Sequence, residues 1–247
     1  MERPPTTQTS HIPNSNRQQV LSHRMSERIT AVLLILYSIA QVITIVTRIA
    51  SGTDQPDALS SIAMISANHS WYIASKIANM IAAFLLLAAS ALIFQVFRPF
   101  DRTLALLAAV LLGTAGIFWL HSSLAGMALA EVSGAPLPET ALLPENVQQS
   151  AFFAIEPVRA VAGRVGFTAA ALALAAWSAL IVFAGPLPRW LGWAGWATAV
   201  AMLFIWDPAA AAMHRLGGGA LLIWLLVVAG LLAWKGTAYS IPSEKIP

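Results

Sequence analysis

Six apolar blocks, none of them containing an acidic residue, leave this chain few ways to fold. They run from Ile29 to about Ala50, Ile73 to Phe97, Thr103 to Ala130, Val158 to Ala184, Leu191 to Trp206 and Gly218 to Trp234. A helix rises ~1.5 Å per residue, so about 20 apolar residues cross the ~30 Å hydrocarbon core of a bilayer. A soluble core helix or strand has no need of runs that long. Composition agrees: 58% of the residues are hydrophobic and 10% charged, against ~25% charged in a soluble domain. The expected fold is all-α, a polytopic transmembrane helix bundle of about six spans.

Residues 1–27 are Pro, Thr, Ser, Gln, Asn and Arg with almost no apolar content. So little apolar surface cannot offset the entropy of ordering, and the segment reads as a disordered cytoplasmic tail. Residues 28–236 form the transmembrane domain and 237–247 a second cytoplasmic tail. The first block begins too late and runs too long for a cleaved secretory signal, so it reads as a retained span. Lys and Arg near span ends set orientation. Arg3, Arg17, Arg24, Arg28, Arg98, Arg102, Arg189, Lys235 and Lys245 fall on one side, and Arg48, Lys76, Arg159, Arg164 and Arg215 on the other. The richer side is the cytoplasm, which puts both termini inside and the chain in an inner (plasma) membrane. Trp71, Tyr72, Trp190, Trp193, Trp196, Trp234 and Tyr239 fall at the span ends, where amphipathic rings favour the headgroup zone.

The connections are unequal. Arg98-Pro-Phe-Asp-Arg102 and Gly185-Pro-Leu-Pro-Arg189 are tight inner turns, whereas 51–72 and 131–157 are long outer loops. Loops beyond about 12 to 15 residues are usually functional or disordered. In the first, Leu59, Ile62 and Ile65 have helical spacing and suit a short amphipathic turn on the outer membrane surface. The second ends at Glu156-Pro157, which reads as the start of the fourth helix. Asp207-Pro208 carries a helix-start signature. A short helix over 208–216 is expected to stop at Gly217-Gly218-Gly219, unless the fifth span continues through Pro208 as a kink. Small residues four apart, Ala105-Ala109-Gly113 and Ala171-Ala175-Ala179, suit close helix approach.

Several chemistries are excluded. The chain has no cysteine, so it forms no disulfide, thiolate metal site or iron–sulfur cluster. No phosphate-binding loop, nucleophile elbow or His-Glu-x-x-His motif occurs. The balance of 14 Lys+Arg against 11 Asp+Glu is too even for a nucleic acid partner. Ionisable groups inside spans are costly and often mark a site. His121, Arg159, Arg164, Lys76 and Asp207 are therefore the candidate ligand-binding residues, facing an outward polar cavity with Arg48 and Arg215. The blander reading is that Arg48, Lys76, Arg159 and Arg215 anchor in the headgroups. On that reading Glu156 and Arg159, three apart, pair on their own helix. His69, His121 and His214 form an alternative metal or haem set, since imidazole suits both. They lack any local ligand spacing, and no cofactor is expected.

Two stretches carry a resemblance. Arg98-Pro-Phe-Asp-Arg102-Thr-Leu-Ala-Leu-Leu-Ala-Ala109 follows the second span, and Leu187-Pro-Arg-Trp-Leu-Gly-Trp193 enters the fifth. Both resemble a domain-of-unknown-function family of six-span bacterial integral membrane proteins. The run into Ser75-Lys76-Ile77 is similar too, and the likeness covers about 29–236. It implies the architecture and a bacterial membrane, and it brings no activity or site residue with it. The expected function is non-enzymatic: binding of a small ligand, lipid or protein partner at the outer face. A transporter or channel, and a haem or metal protein using His121, stay open as alternatives.

Overall fold

In a computed structural model the chain is described over residues 14–52, 58–134 and 144–235. The expected C-terminal tail (237–247), residues 1–13 of the expected N-terminal tail, and residues 53–57 and 135–143 of the two outer loops lie outside the described residues. Seven α-helices follow in order: α1 (Asn14–Ser51), α2 (Ala58–Ala67), α3 (His69–Phe97), α4 (Arg102–Val132), α5 (Glu145–Ala184), α6 (Arg189–Leu203) and α7 (Ala211–Trp234). Among the described residues there is no strand. The protein is an all-α bundle, as its apolar blocks require.

Five helices, α1, α3, α4, α5 and α7, are long and apolar enough to cross a membrane. The sixth, α6, is shorter at 15 residues. A 3-10 turn, Phe204–Trp206, continues it, and together they reach about 28 Å. The six long helices close a ring: α1 packs on α3 and α7, α3 on α4, α4 on α5, α5 on α6, and α6 on α7. At one end, the turn end, four residues join α3 to α4 and four join α5 to α6. Asp101 caps α4 there, its side chain accepting from Leu104 N at 2.9 Å. Gly185 ends α5 at φ +69°, a left-handed cap that glycine adopts without steric cost. The opposite, loop end carries the longer connections and α2.

Two aromatic layers fill the ring. Near the turn end Trp177 meets Phe97 and Trp224 edge to face, at 5.2 and 5.1 Å between ring centroids. Nearer the loop end Tyr37 stacks on Trp119 at 6.3 Å, and Phe167 meets Trp119 edge-on at 5.5 Å. These rings come from α1, α3, α4, α5 and α7, so the interior is a packed core.

Four local expectations change. The polar N-terminal segment is helical from Asn14, because Arg, Gln, Leu, Met and Glu there are good helix formers. It also extends a span that is already nucleated, and its His23 and Glu27 pair at 3.4 Å. Ile62 and Ile65 do form a helix, but they are buried against Tyr72, Leu129 and Phe152 instead of lying on the membrane. The fourth spanning helix starts at Glu145, so Pro157 sits inside it. Pro157 denies the Phe153 carbonyl its usual donor, yet Phe152 and Ile155 pack into the same small cluster and hold the preceding turns in line. The three glycines lie within α7 instead of ending a helix. A β-carbon on Gly217 would lie 2.8 Å from Met202 N, so Gly217 lets α7 press against α6.

Candidate functional site

The loop end gathers most of the ionisable residues of the spans, in two groups. The first lies on α3, α4 and α5. Lys76 Nζ sits 4.5 Å from the centroid of the Tyr72 ring, and its stem runs over Gly126, where a β-carbon would clash with it. Its stem is thus buried on a neighbouring helix while the ammonium is held on an aromatic face. Arg159 makes a bidentate pair with Glu156, at 2.6 Å from Nε and 2.5 Å from Nη2. That i, i+3 pair is the one the spacing foretold. Ser122 of α4 donates to the Arg159 carbonyl at 3.0 Å and ties the two helices. Lys76 and Arg159 are thereby engaged within the fold.

The second group lies on α1, α5 and α7 and is built differently. Phe167 of α5 meets the His214 ring edge-on at 6.4 Å, and a β-carbon on Gly218 would touch Phe167 at 3.4 Å. Arg48, Arg164 and Arg215 all lie within electrostatic reach of His214. Arg164 is three residues before Phe167, which places both on neighbouring positions of one helix face. Its guanidinium lies 5.8 Å from the Trp206 ring, and Trp206 Nε1 donates to Thr168 Oγ1 at 2.8 Å. The indole is thus fixed as a platform for the arginine. His214 Nδ1 and Trp119 Nε1, on either side of Phe167, are buried without a hydrogen-bond partner. Buried polar atoms are normally satisfied, so these two donor-bearing groups set the site apart from its apolar floor.

The remaining predicted residues fall elsewhere. Asp207 is exposed in the connection from α6 to α7, where its Oδ1 accepts from Ala209 N at 2.9 Å. It therefore caps the 3-10 turn Pro208–Ala210, in keeping with its helix-start signature. His121 faces out from α4, its Nδ1 3.1 Å from the Ile117 carbonyl of its own helix. His69 begins α3 with a buried, unpartnered Nε2. Among the described residues no three His, Asp or Glu side chains assemble into a metal-binding group, so His69, His121 and His214 are not brought together as one.

Sequence reasoning passed over a polar thread between the two groups. Gln41 of α1 donates to Asn79 of α3 at 3.1 Å, and Asn79 donates to Ser123 of α4 at 2.7 Å. Ser123 in turn donates to the Trp119 carbonyl at 2.9 Å. Two carboxamides in otherwise apolar spans were the available signal, because such groups hydrogen-bond across helices in lipid. Trp119, Phe167 and Trp206 carried no comparable signal, since aromatic residues in apolar spans are ordinary core material.

Fold and site together define a multi-pass membrane protein, a ring of helices with a cationic cluster at one end. The model of the family described as Domain of unknown function (DUF4386) matches residues 29–234. The chain belongs to that family, in accord with the resemblance carried by its two turns. No curated protein and no solved structure matches it.

Proposed function

We propose that this protein binds an anionic ligand at its loop end, through Arg164 and Arg215 with His214 beside them. One observation carries the reading: Arg164 of α5 lies 5.8 Å from the Trp206 ring and, with Arg215 of α7, bears electrostatically on His214, above a layer of packed aromatic rings. Like charges brought together at the end of apolar helices repel one another, and an anion relieves that repulsion. Lys76 and Arg159, bound to Tyr72 and Glu156, are assigned structural roles. The Lys and Arg bias further supports an inner-membrane protein with cytoplasmic termini and an outward-facing site.

Native mass spectrometry of the mildly solubilised protein tests this directly. The wild-type chain should carry a bound anionic species that the R164Q/R215Q double variant loses. Identical spectra from both proteins would refute the proposal. A fluorescent reporter that folds only in the cytoplasm, fused after Pro247, should glow; a dark fusion would reverse the orientation.

A further inference from the structure

We infer that the anion is the headgroup phosphate of an acidic phospholipid in the leaflet at the loop end, reached sideways from the bilayer between α5 and α7; this rests on the anion-site reading. Phe153, Pro157, Val161, Arg164 and Leu172 form one exposed stripe along α5, spaced so that they share a face. On a membrane helix exposed apolar residues such as Leu172 face acyl chains, and Arg164 stands where that stretch ends, with Val161, Pro157 and Phe153 beyond it. On α7, Arg215 adjoins Leu216, the first residue of the exposed stripe Leu216, Gly219, Ile223 and Leu226. Both arginines are therefore open to the bilayer as well as to the end of the ring.

Depth agrees with a headgroup contact. Arg164 stands about 20 residues from the end of α5 and Arg215 about 19 from the end of α7, or roughly 30 Å from the turn end in each case. That is one hydrocarbon thickness, which puts both guanidinium groups at the phosphate level of the far leaflet. The wall between them belongs to α6, and regular helix there stops at Leu203. The wall is completed by the 3-10 turn Phe204–Trp206, in which no residue is buried. Phe204 and Trp206 are exposed, as are Leu203, Met213 and Leu216 around them. A phosphodiester held by two arginines would thus find apolar surface for its acyl chains directly beside it. A small soluble anion would leave that surface unused. The planar Arg164 guanidinium, lying over Trp206, suits a phosphate oxygen pair better than an ammonium would.

The test uses the full chain, delipidated in a mild non-ionic detergent and offered equal amounts of phosphatidylglycerol and phosphatidylcholine with the same acyl chains. Native mass spectrometry reads the ratio of the two adducts. The wild type should favour phosphatidylglycerol by roughly five-fold for each arginine engaged. R164Q/R215Q should bring the ratio close to one, and R164K, which keeps the charge and loses the planar contact, should lose part of it. R98Q/R102Q, at the turn end, should leave the ratio unchanged. A wild-type ratio near one overturns the inference, as does an equal loss in R98Q/R102Q, which would mark simple surface charge. Inorganic phosphate separates the two proposals. If it raises the melting temperature of the wild type but not of R164Q/R215Q while the lipid ratio stays at one, the anion site stands and the lipid falls. If neither phosphate nor lipid distinguishes the two proteins, both fall. R164K also serves as the folding control, should the glutamine variant prove unstable.

Discussion

At the turn end the rings of Phe97, Trp177 and Trp224 interlock, and Trp224 Nε1 donates to the Leu191 carbonyl of α6 at 2.8 Å. Gly192 and Gly195 let α6 approach so closely that a β-carbon on either would overlap Val182 or Ser178. At the loop end contacts of a different kind hold the helices. Gln41, Asn79 and Ser123 link α1, α3 and α4 through carboxamides and a hydroxyl, and Trp206 reaches α5 through Thr168. Both halves are closely packed, but among the described residues carboxamide and hydroxyl side chains join the helices in the loop half alone. In lipid the difference has a physical basis: no water is expelled between spans, so close packing and hydrogen bonding must drive association. Shape gives a rigid base. Polar contacts leave the loop end able to hold charge, and that is where Arg164 and Arg215 act on His214.

The largest effect should come from removing shape at the turn end. Trp177 is 2% exposed and touches two other rings, so Trp177→Ala should cost about 3 to 5 kcal/mol, by analogy with other large-to-small core changes. Thermal unfolding in detergent would read it; a cost below that of the loop-end variants would break the contrast. Asn79→Leu should come next. It removes both the Gln41 and Ser123 bonds at ~0.6 to 1.7 kcal/mol each, and a double-mutant cycle with Gln41→Leu should return a coupling in that range. Zero coupling would mean the thread is incidental. Asp101→Ala, which deletes the cap on α4, should cost about 1 kcal/mol and leave lipid retention intact. The smallest stability change belongs to R164Q/R215Q, within about 0.5 kcal/mol, since exposed substitutions rarely do more. The same variant should show the largest loss of bound anion, and a reversed pattern would make the cluster structural.

The sequence marks the charges of the loop end but not what each one meets. Lys76, Arg159 and Arg164 were picked out because charge inside apolar blocks is conspicuous. Their fates differ for a reason no spacing reveals: Tyr72 and Glu156 stand within reach of the first two, while Arg164 lies by an indole face brought in from the α6–α7 connection. Pro157 and Gly217-Gly218-Gly219 were read by their local preferences, as a helix start and a helix stop. Tertiary packing overrides both. Phe152 and Ile155 anchor the turns before Pro157, and the closeness of α6 to α7 requires small residues where Gly217 lies.

The sequence by itself determined the class of fold, the membrane, the order of the helices and their tight turns. Each of these follows from local quantities: length of apolar run, turn residues and the position of charge. Only the tertiary structure decided that α7 closes against α1 into a ring, that aromatic layers fill it, and that arginines from α1, α5 and α7 come within electrostatic reach of one histidine. Those facts depend on which faces of distant helices meet. Alanine-rich spans with similar apolar character on every side do not encode that choice in any pattern read along one helix. It is made by the summed fit of all six helices in the ring.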